Sequence, residues 1–408
     1  MITEIRGMEV LDSRGNPTVC AEVILKDGCR AMAIAPSGAS TGKFEAHELR
    51  DRDGRYGGKG VKKAVDNINN IISPAVCSLE TLNQKKIDKE MIRLDDSENK
   101  NKLGANAILA VSLAVARAAA RHYHVPLYRY LGGISGLKTP TPMLNILNGG
   151  AHAANNIDIQ EFMIVPLVKG GFSEKLRAGT EIYHTLGNIL KADGKSTGVG
   201  DEGGFAPDLN DTSEVLDYIV KAIEKAGYST KDIKIALDVA SSEWYKNNTY
   251  HLPKSNEILD ASKLTERISA LIDNYPIISV EDGLAEDDYE GWELMTKQLG
   301  KTTMLVGDDL FVTNPKRLKD GISKGIANSI LIKLNQIGTL TETLEVISIA
   351  KKAGYTPIIS HRSGETEDTF IADLSVAVGA DYIKAGAPCR TDRIAKYNRL
   401  LKIENELK

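Results

Sequence analysis

The chain of 408 residues contains no apolar run of the roughly 18 residues needed to cross a bilayer, and no membrane span is expected. Its opening, Met1 to Gly7, lacks a basic start followed by an apolar stretch, so no signal peptide is expected. Cysteine is scarce: Cys20, Cys29, Cys77 and Cys389 are scattered and form no CxxC pair. That excludes a disulfide framework or a structural zinc site and fits a reducing, cytoplasmic setting, while a cell-surface or secreted fraction leaves no mark in the sequence. Neither sign of charge dominates, with 51 Lys and Arg against 55 Asp and Glu, and the net charge of −4 gives no argument for a nucleic-acid partner. A GxGxxG fingerprint is missing. The stretches GRYGGKG at 54–60 and GASTGK at 38–43 lack the spacing, and the Ser or Thr after lysine, of a phosphate-binding loop.

What is present divides into two styles. Residues 9–19 carry a turn at 13–17, and 20–25 and 31–35 read as short strands. A small-residue loop follows at 36–42, helical periodicity around 61–72, and a strong helix over about 105–121. This predicts an N-terminal α+β capping domain over 1–135 and a second domain over 136–408, with the boundary in the Gly-, Ser- and Pro-bearing stretch 132–142. In the second part, short apolar runs stop at one polar residue and a helical stretch follows. The runs at 277–280, 304–307, 330–332, 357–360 and 382–383 end at Glu281, Asp308, Lys333, His361 and Lys384, which recur every 23 to 28 residues. The runs 234–237 before Asp238 and 198–200 before Asp201 and Glu202 fit the same scheme. Strands buried on both faces read as continuous apolar runs, so the pattern is that of an α/β fold with a C-terminal β/α, TIM-like barrel of parallel strands. Active sites of such barrels lie at the C-terminal ends of their strands. A charged residue after a strand ordinarily caps the next helix, but capping does not predict a set of three acids, two lysines and a histidine.

The residue types suggest a chemistry. Asp238, Glu281 and Asp308, brought from three strand ends to one mouth, would repel one another without a cation. Hard oxygen ligands suit Mg²⁺ or Ca²⁺ rather than Zn²⁺. Lys333 and Lys384 could serve as a base if neutral or as clamps if charged. The segment 360–366 packs His361, Arg362, Ser363 and Gly364 into one loop, where the planar fork of Arg362 matches phosphate and Gly364 permits close backbone approach. Asp201 and Glu202 lie between glycines, where a carboxyl with a raised pKa could act as a general acid. His152, in a turn, reads more readily as structural.

As a set these residues resemble the enolase family, nearly end to end. The resemblance is carried by residues 11–19 (LDSRGNPTV), 36–42 (PSGASTG), 104–114 (GANAILAVSLA), 148–152 (NGGAH), 158–163 (DIQEFM), 200–204 (GDEGG), 307–314 (GDDLFVTN), 332–338 (IKLNQIG), 360–368 (SHRSGETED) and 395–398 (AKYN). It implies reversible, Mg²⁺-dependent dehydration of 2-phosphoglycerate to phosphoenolpyruvate in glycolysis and gluconeogenesis, with two Mg²⁺ per site. It also implies the roles. Asp238, Glu281 and Asp308 would hold the first Mg²⁺, and Ser40 would help bind a second as the loop 37–42 closes. Lys333 would take the C2 proton. Glu202 would protonate the leaving hydroxyl with Glu161 assisting. Arg362 and Ser363 would grip the phosphate, Lys384 would neutralise the carboxylate, and Gln160, His152 and His361 would line the pocket. A Lys or His base with one or two Mg²⁺ is the general scheme of the superfamily, taken over with the resemblance. The family is expected to form a homodimer or larger homo-oligomer. Cys20 and Lys402 stand where the family pattern leads to Glu and Arg, which can pair across the subunit contact. Lys43 and Phe44 also depart from the polar, basic residues expected after the small-residue loop. Two rivals remain: a superfamily member acting on an acid without phosphate, which Arg362, Ser363 and Ser40 oppose, and a scaffold or adhesin without catalysis, which the intact acid, base and metal set opposes.

Overall fold

The computed structural model of the protein describes residues 1–38, 42–79, 82–134, 137–153 and 155–408, and of His152 the backbone alone. Ser40, the side chain of His152 and the expected boundary at 135–136 therefore lie outside the described residues.

The N-terminal part begins with an antiparallel meander, β1 (Ile2–Leu11), β2 (Pro17–Leu25) and β3 (Arg30–Ile34). The β1–β2 turn forms because Asp12 accepts the backbone N–H groups of Arg14 and Asn16, each at 2.9 Å, the usual use of Asp in turns. The helix Ala105–His122 packs on this sheet. Its Ala, Val, Ile and Leu residues leave no polar face, and such a helix is stable only when covered all round; residues 105–116 are all buried. One side lies on the meander. The other meets the barrel, where Ser112 accepts the Leu340 backbone N–H at 3.0 Å. Helical structure near 61–72 runs on to Cys77, as Lys62–Asn67, a π turn Ile68–Ile72, and Ser73–Cys77. Cys20 is fully buried on β2, paired with Met8 and Ile34, so it offers no surface partner to the exposed Lys402.

The C-terminal part closes into an eight-stranded barrel. In chain order its first strands are β4 (Thr141–Asn148), β5 (Glu161–Pro166) and β6 (Ile233–Asp238). A small sheet of β7 (Tyr245–Lys246), β8 (Thr249–His251) and β9 (Ile258–Leu259) is inserted next. The barrel then continues with β10 (Ile277–Glu281), β11 (Met304–Gly307), β12 (Ser329–Ile332), β13 (Thr356–Ser360) and β14 (Tyr382–Lys384). The ring order is β10-β11-β12-β13-β14-β4-β5-β6.

Two expectations need correction. The strands are not all parallel, because β5 runs antiparallel to both β4 and β6. Residues 198–200 are not a barrel strand: with two glycines in three residues they make only an isolated bridge, Val199 to Phe205, inside a loop between the helices Phe172–Ala192 and Thr212–Lys225.

Strand pleating explains how the mouth is filled. Met143, Met163, Ala236, Val306, Leu331 and Ile358 form an apolar plug inside the barrel, with Tyr382 packed against it. Side chains alternate with period two along a strand. Two residues nearer the mouth therefore stand Asn145, Glu161, Asp238, Asp308, Lys333, Ser360 and Lys384. On six of these strands the polar residue follows its apolar partner. On the reversed β5 it precedes it.

Candidate active site

A cavity of about 380 Å³ opens above this polar layer. Gln160, Glu161, Glu202, Asp238, Asp308, Lys333, His361, Arg362, Ser363 and Lys384 all line it. Glu281, in register with Asp238, reaches the same centre through Lys384. Every expected site residue with a described side chain is thus brought to one place.

Lys384 is the hub. Its amine donates to Asp238 Oδ2 at 3.0 Å and to both oxygens of Glu281 at 2.9 Å, and lies 3.3 Å from Glu161 Oε2. Burial works to discharge this lysine, but the carboxylates of Asp238, Glu161 and Glu281 outweigh it and hold the pKa well above the ordinary value. Lys333 makes the equivalent contact with Asp308 Oδ2. Burial again opposes its charge and Asp308 restores it, so Lys333 is protonated in this arrangement. Gln336 donates to Asp308 Oδ1 at 3.0 Å and completes the cradle of that carboxylate.

On the far wall Glu202 accepts from Asn145 Nδ2 at 3.1 Å and sits 3.3 Å from His361 Nε2. Glu161 is pushed well above the usual carboxylate range by burial and then by the nearby Glu202, with which it shares a hydrogen bond. Arg393 lies wholly inside and donates to His361 Nδ1 and to the carbonyls of Asp201, Arg362 and Ser363. Because an arginine can only donate, His361 Nδ1 is an acceptor and its proton is on Nε2, facing Glu202. Burial lowers the His361 pKa to about 4, with Arg393 adding to the shift and Glu202 opposing it, and the ring is neutral.

The acids outnumber the cations. Glu161, Glu202, Asp238, Glu281, Asp282 and Asp308 are all buried, and Glu45 joins them as the partner of Arg362, against the four cations Lys333, Lys384, Arg362 and Arg393. Glu281 is raised by burial and by Asp238, and Asp309 is raised to about 7 by burial and by Asp308. A buried surplus of negative charge among hard oxygen donors is what a divalent cation relieves, so this donor set fits Mg²⁺ or Ca²⁺. Asp238 and Glu281 are cross-strand partners in register, and β11 beside β10 delivers Asp308. Among the described residues, Asp282, Asp308 and Asp309 bring ligand atoms within 4.8 Å of one another. Both oxygens of Asp282 accept backbone N–H groups, from Asp308 at 2.9 Å and Asp309 at 2.8 Å, so Asp282 braces the loop that aims Asp308.

Asp282, Asp309, Gln336, Asn145, Arg393 and Glu45 belong to the site but were not singled out in the sequence. Asp282 and Asp309 could have been found, since each directly follows a strand-end acid. Arg393 and Glu45 gave no local signal.

The shape of the SHRSGET loop follows from Gly364. Its backbone bonds reciprocally with Ser37 at 2.8 Å, and a Cβ there would stand 2.4 Å from Arg14 Nη2 and 2.7 Å from Ser37 O. Only glycine lets these two segments meet.

Comparison with known families gives two matches. The family model described as enolase, N-terminal domain, matches residues 2–131, and that described as enolase, C-terminal TIM barrel domain, matches residues 137–408.

Proposed function

The chain belongs to the enolase family and is a lyase of the enolase superfamily, and from that premise we propose that it reversibly dehydrates 2-phosphoglycerate to phosphoenolpyruvate with Mg²⁺. One observation carries the reading. Lys333 at the end of β12 and Glu161 on β5 face each other across the cavity, four strands apart in either direction round the ring, and Glu202 bonds to Glu161 on that far side. A base on one side and an acid on the other suit elimination in which proton and hydroxyl leave opposite faces.

In this reading the Lys333 amine takes the C2 proton and the electron pair moves into the carboxylate. Glu202 then protonates the C3 hydroxyl, which leaves as water while the double bond forms. Glu161 holds Glu202 in its proton-sharing pair, and the neutral His361 donates to Glu202 once its proton is gone. Lys384 supplies positive charge to the substrate carboxylate, Arg362 and Ser363 bind the phosphate, and Gln160 lines the wall. Asp238, Glu281 and Asp308 would hold Mg²⁺, with Ser40 assigned to a second ion by the resemblance. Bound there, Mg²⁺ supplies charge that stabilises the doubly charged carboxylate more than the bound substrate, which is the condition for acceleration. Lys333 can act as base only when the charge of Asp308 is drawn elsewhere, because Asp308 is what keeps it protonated.

The test is the ultraviolet absorbance of phosphoenolpyruvate as purified protein meets 2-phosphoglycerate, with Mg²⁺ and then with excess chelator. A rise that requires Mg²⁺ is expected. No rise from folded, Mg²⁺-loaded protein would overturn the assignment of this substrate.

A further inference from the structure

Arg362, assigned above to the substrate phosphate, already holds an anion. Its guanidinium is gripped fork to fork by Glu45, with Nη1 donating to Oε2 at 2.9 Å and Nη2 to Oε1 at 3.2 Å. Both side chains are buried, 4% and 7% exposed. Glu45 belongs to the N-terminal part, yet it lines the cavity with the barrel residues. Its Oε1 also accepts from Gly42 N at 3.0 Å and from Gln336 Nε2 at 3.3 Å. Gln336 is the residue that holds Asp308.

A carboxylate offers two oxygens to an arginine fork much as a phosphate group does, and both make charge-assisted bidentate pairs. Two anions on one buried guanidinium repel each other strongly where water is scarce. An incoming phosphate and Glu45 therefore compete for the same donors.

We propose that Glu45 is a resident stand-in for the substrate phosphate: it occupies the Arg362 fork until a phosphate displaces it, and this exchange makes the site select phosphorylated acids. The proposal rests on the reading of Arg362 as the phosphate anchor. A ligand with a single carboxylate brings no group to replace Glu45 and gains nothing from Arg362. A phosphate brings more charge and a third oxygen, and takes the fork. The same exchange frees Gly42 N and loosens the link from Gln336 to Glu45, so phosphate arrival is reported to the residue that cradles Asp308. The stand-in also lowers apparent affinity, because only the fraction of molecules with Arg362 released is ready to bind.

The experiment titrates inorganic phosphate into the Mg²⁺-loaded full chain by calorimetry. Glu45→Gln is expected to bind phosphate about tenfold more tightly than the parent, with a lower KM for 2-phosphoglycerate. Glu45→Asp, too short to reach both nitrogens, is expected to fall between. Arg362→Gln separates the two levels of the argument. If it binds phosphate as well as the parent does, the phosphate assignment of Arg362 is wrong. If it loses phosphate while Glu45→Gln binds no tighter than the parent, the stand-in is wrong and the assignment stands. A crystal structure of the parent with phosphate keeps the test open should Glu45→Gln not fold. Phosphate on Arg362 with Glu45 swung away is expected, and phosphate there with Glu45 still paired to the fork would overturn the proposal.

Discussion

Replacing Lys384 by methionine removes the charge at the centre of the barrel while keeping most of its volume. Three buried carboxylates, Asp238, Glu281 and Glu161, lie between 2.9 and 3.3 Å from that amine. Taking one partner out of a buried ionic group costs about 3–5 kcal/mol, because the charges left behind are uncompensated. At roughly 2 °C per kcal/mol for a chain of this size, the melting midpoint at neutral pH is expected to fall by about 6–10 °C. The pH dependence has a definite sign. Glu161 and Glu281 are already raised by burial, and by Glu202 and Asp238 respectively; without Lys384 they rise further. A carboxyl whose pKa is raised in the folded state binds protons on folding. Its cost is absent below the unfolded value of about 4.3 and grows as pH climbs through the folded value. The gap between Lys384→Met and the parent should therefore narrow steadily as pH falls from 8 to 5 in scanning calorimetry. Added Mg²⁺ should raise the midpoint by more in the variant than in the parent. A gap that stays constant or widens toward low pH would refute the reasoning, since the loss would then be one of packing and not of charge.

Lys333→Ala should lower kcat at least about 10²-fold, the usual contribution of a positioned base, with the circular dichroism spectrum unchanged; activity within tenfold of the parent removes Lys333 from that role. Glu202→Gln should still exchange the C2 proton with solvent, followed by NMR, while phosphoenolpyruvate formation falls by about 10²-fold or more. If exchange stops too, acid and base are not divided between the two walls as argued. His361 should show no imidazole titration between pH 5 and 8, because its pKa is pushed down to about 4. By linkage its neutral form supports stability above the unfolded value of about 6.5, and that support is lost as pH falls toward 4; a proton chemical shift with a midpoint near 6.5 contradicts the buried, Nε2-protonated ring. Gly364→Ala should destabilise by about 1–3 kcal/mol in urea unfolding, the range for overpacking, given a new Cβ 2.4 Å from Arg14 Nη2; a neutral result means the two segments can separate freely.

Much of the barrel was legible because its logic is one-dimensional. On β6 and β10 to β14 an apolar run ends at a polar residue, and the chain runs toward the mouth, so run and functional residue appear in that order. β5 defeated the same rule for a geometric reason. It runs away from the mouth, so Glu161 comes before its apolar run instead of after it. β4 was hidden by Pro142 and Asn145 within the strand. Glu202 was found for a partly wrong reason, since the run before it is not a strand but a loop. The individual roles came from the resemblance, because alternation says which face a side chain takes but not what it does there. Arg393 and Glu45 were illegible in a stronger sense. Each acts through a contact more than 30 residues away in the chain, and no local pattern encodes such a meeting.

The reversal of β5 has one more consequence. In an all-parallel barrel each mouth loop is the direct continuation of a strand and leads into the helix that follows it. Reversing β5 sends the chain down, up the helix Phe172–Ala192, across the mouth and down again through Thr212–Lys225 before β6 begins. Glu202 therefore rides on a two-helix arm attached to the outside of the ring. Lys333 and the acids at the ends of β6, β10 and β11 are built into the frame. Glu202, by contrast, comes from outside the frame and is stitched to it at the tip of the arm. There Phe205 bonds to Ile146 O at 3.0 Å and to Asn148 N at 2.8 Å on β4, and Glu202 O accepts the Ala387 N–H at 2.9 Å. An engineer wishing to alter which group departs, while leaving proton abstraction intact, would change residues of that arm between Pro166 and Ile233 and keep the bonds of Phe205 and Glu202 that fix its tip to the ring.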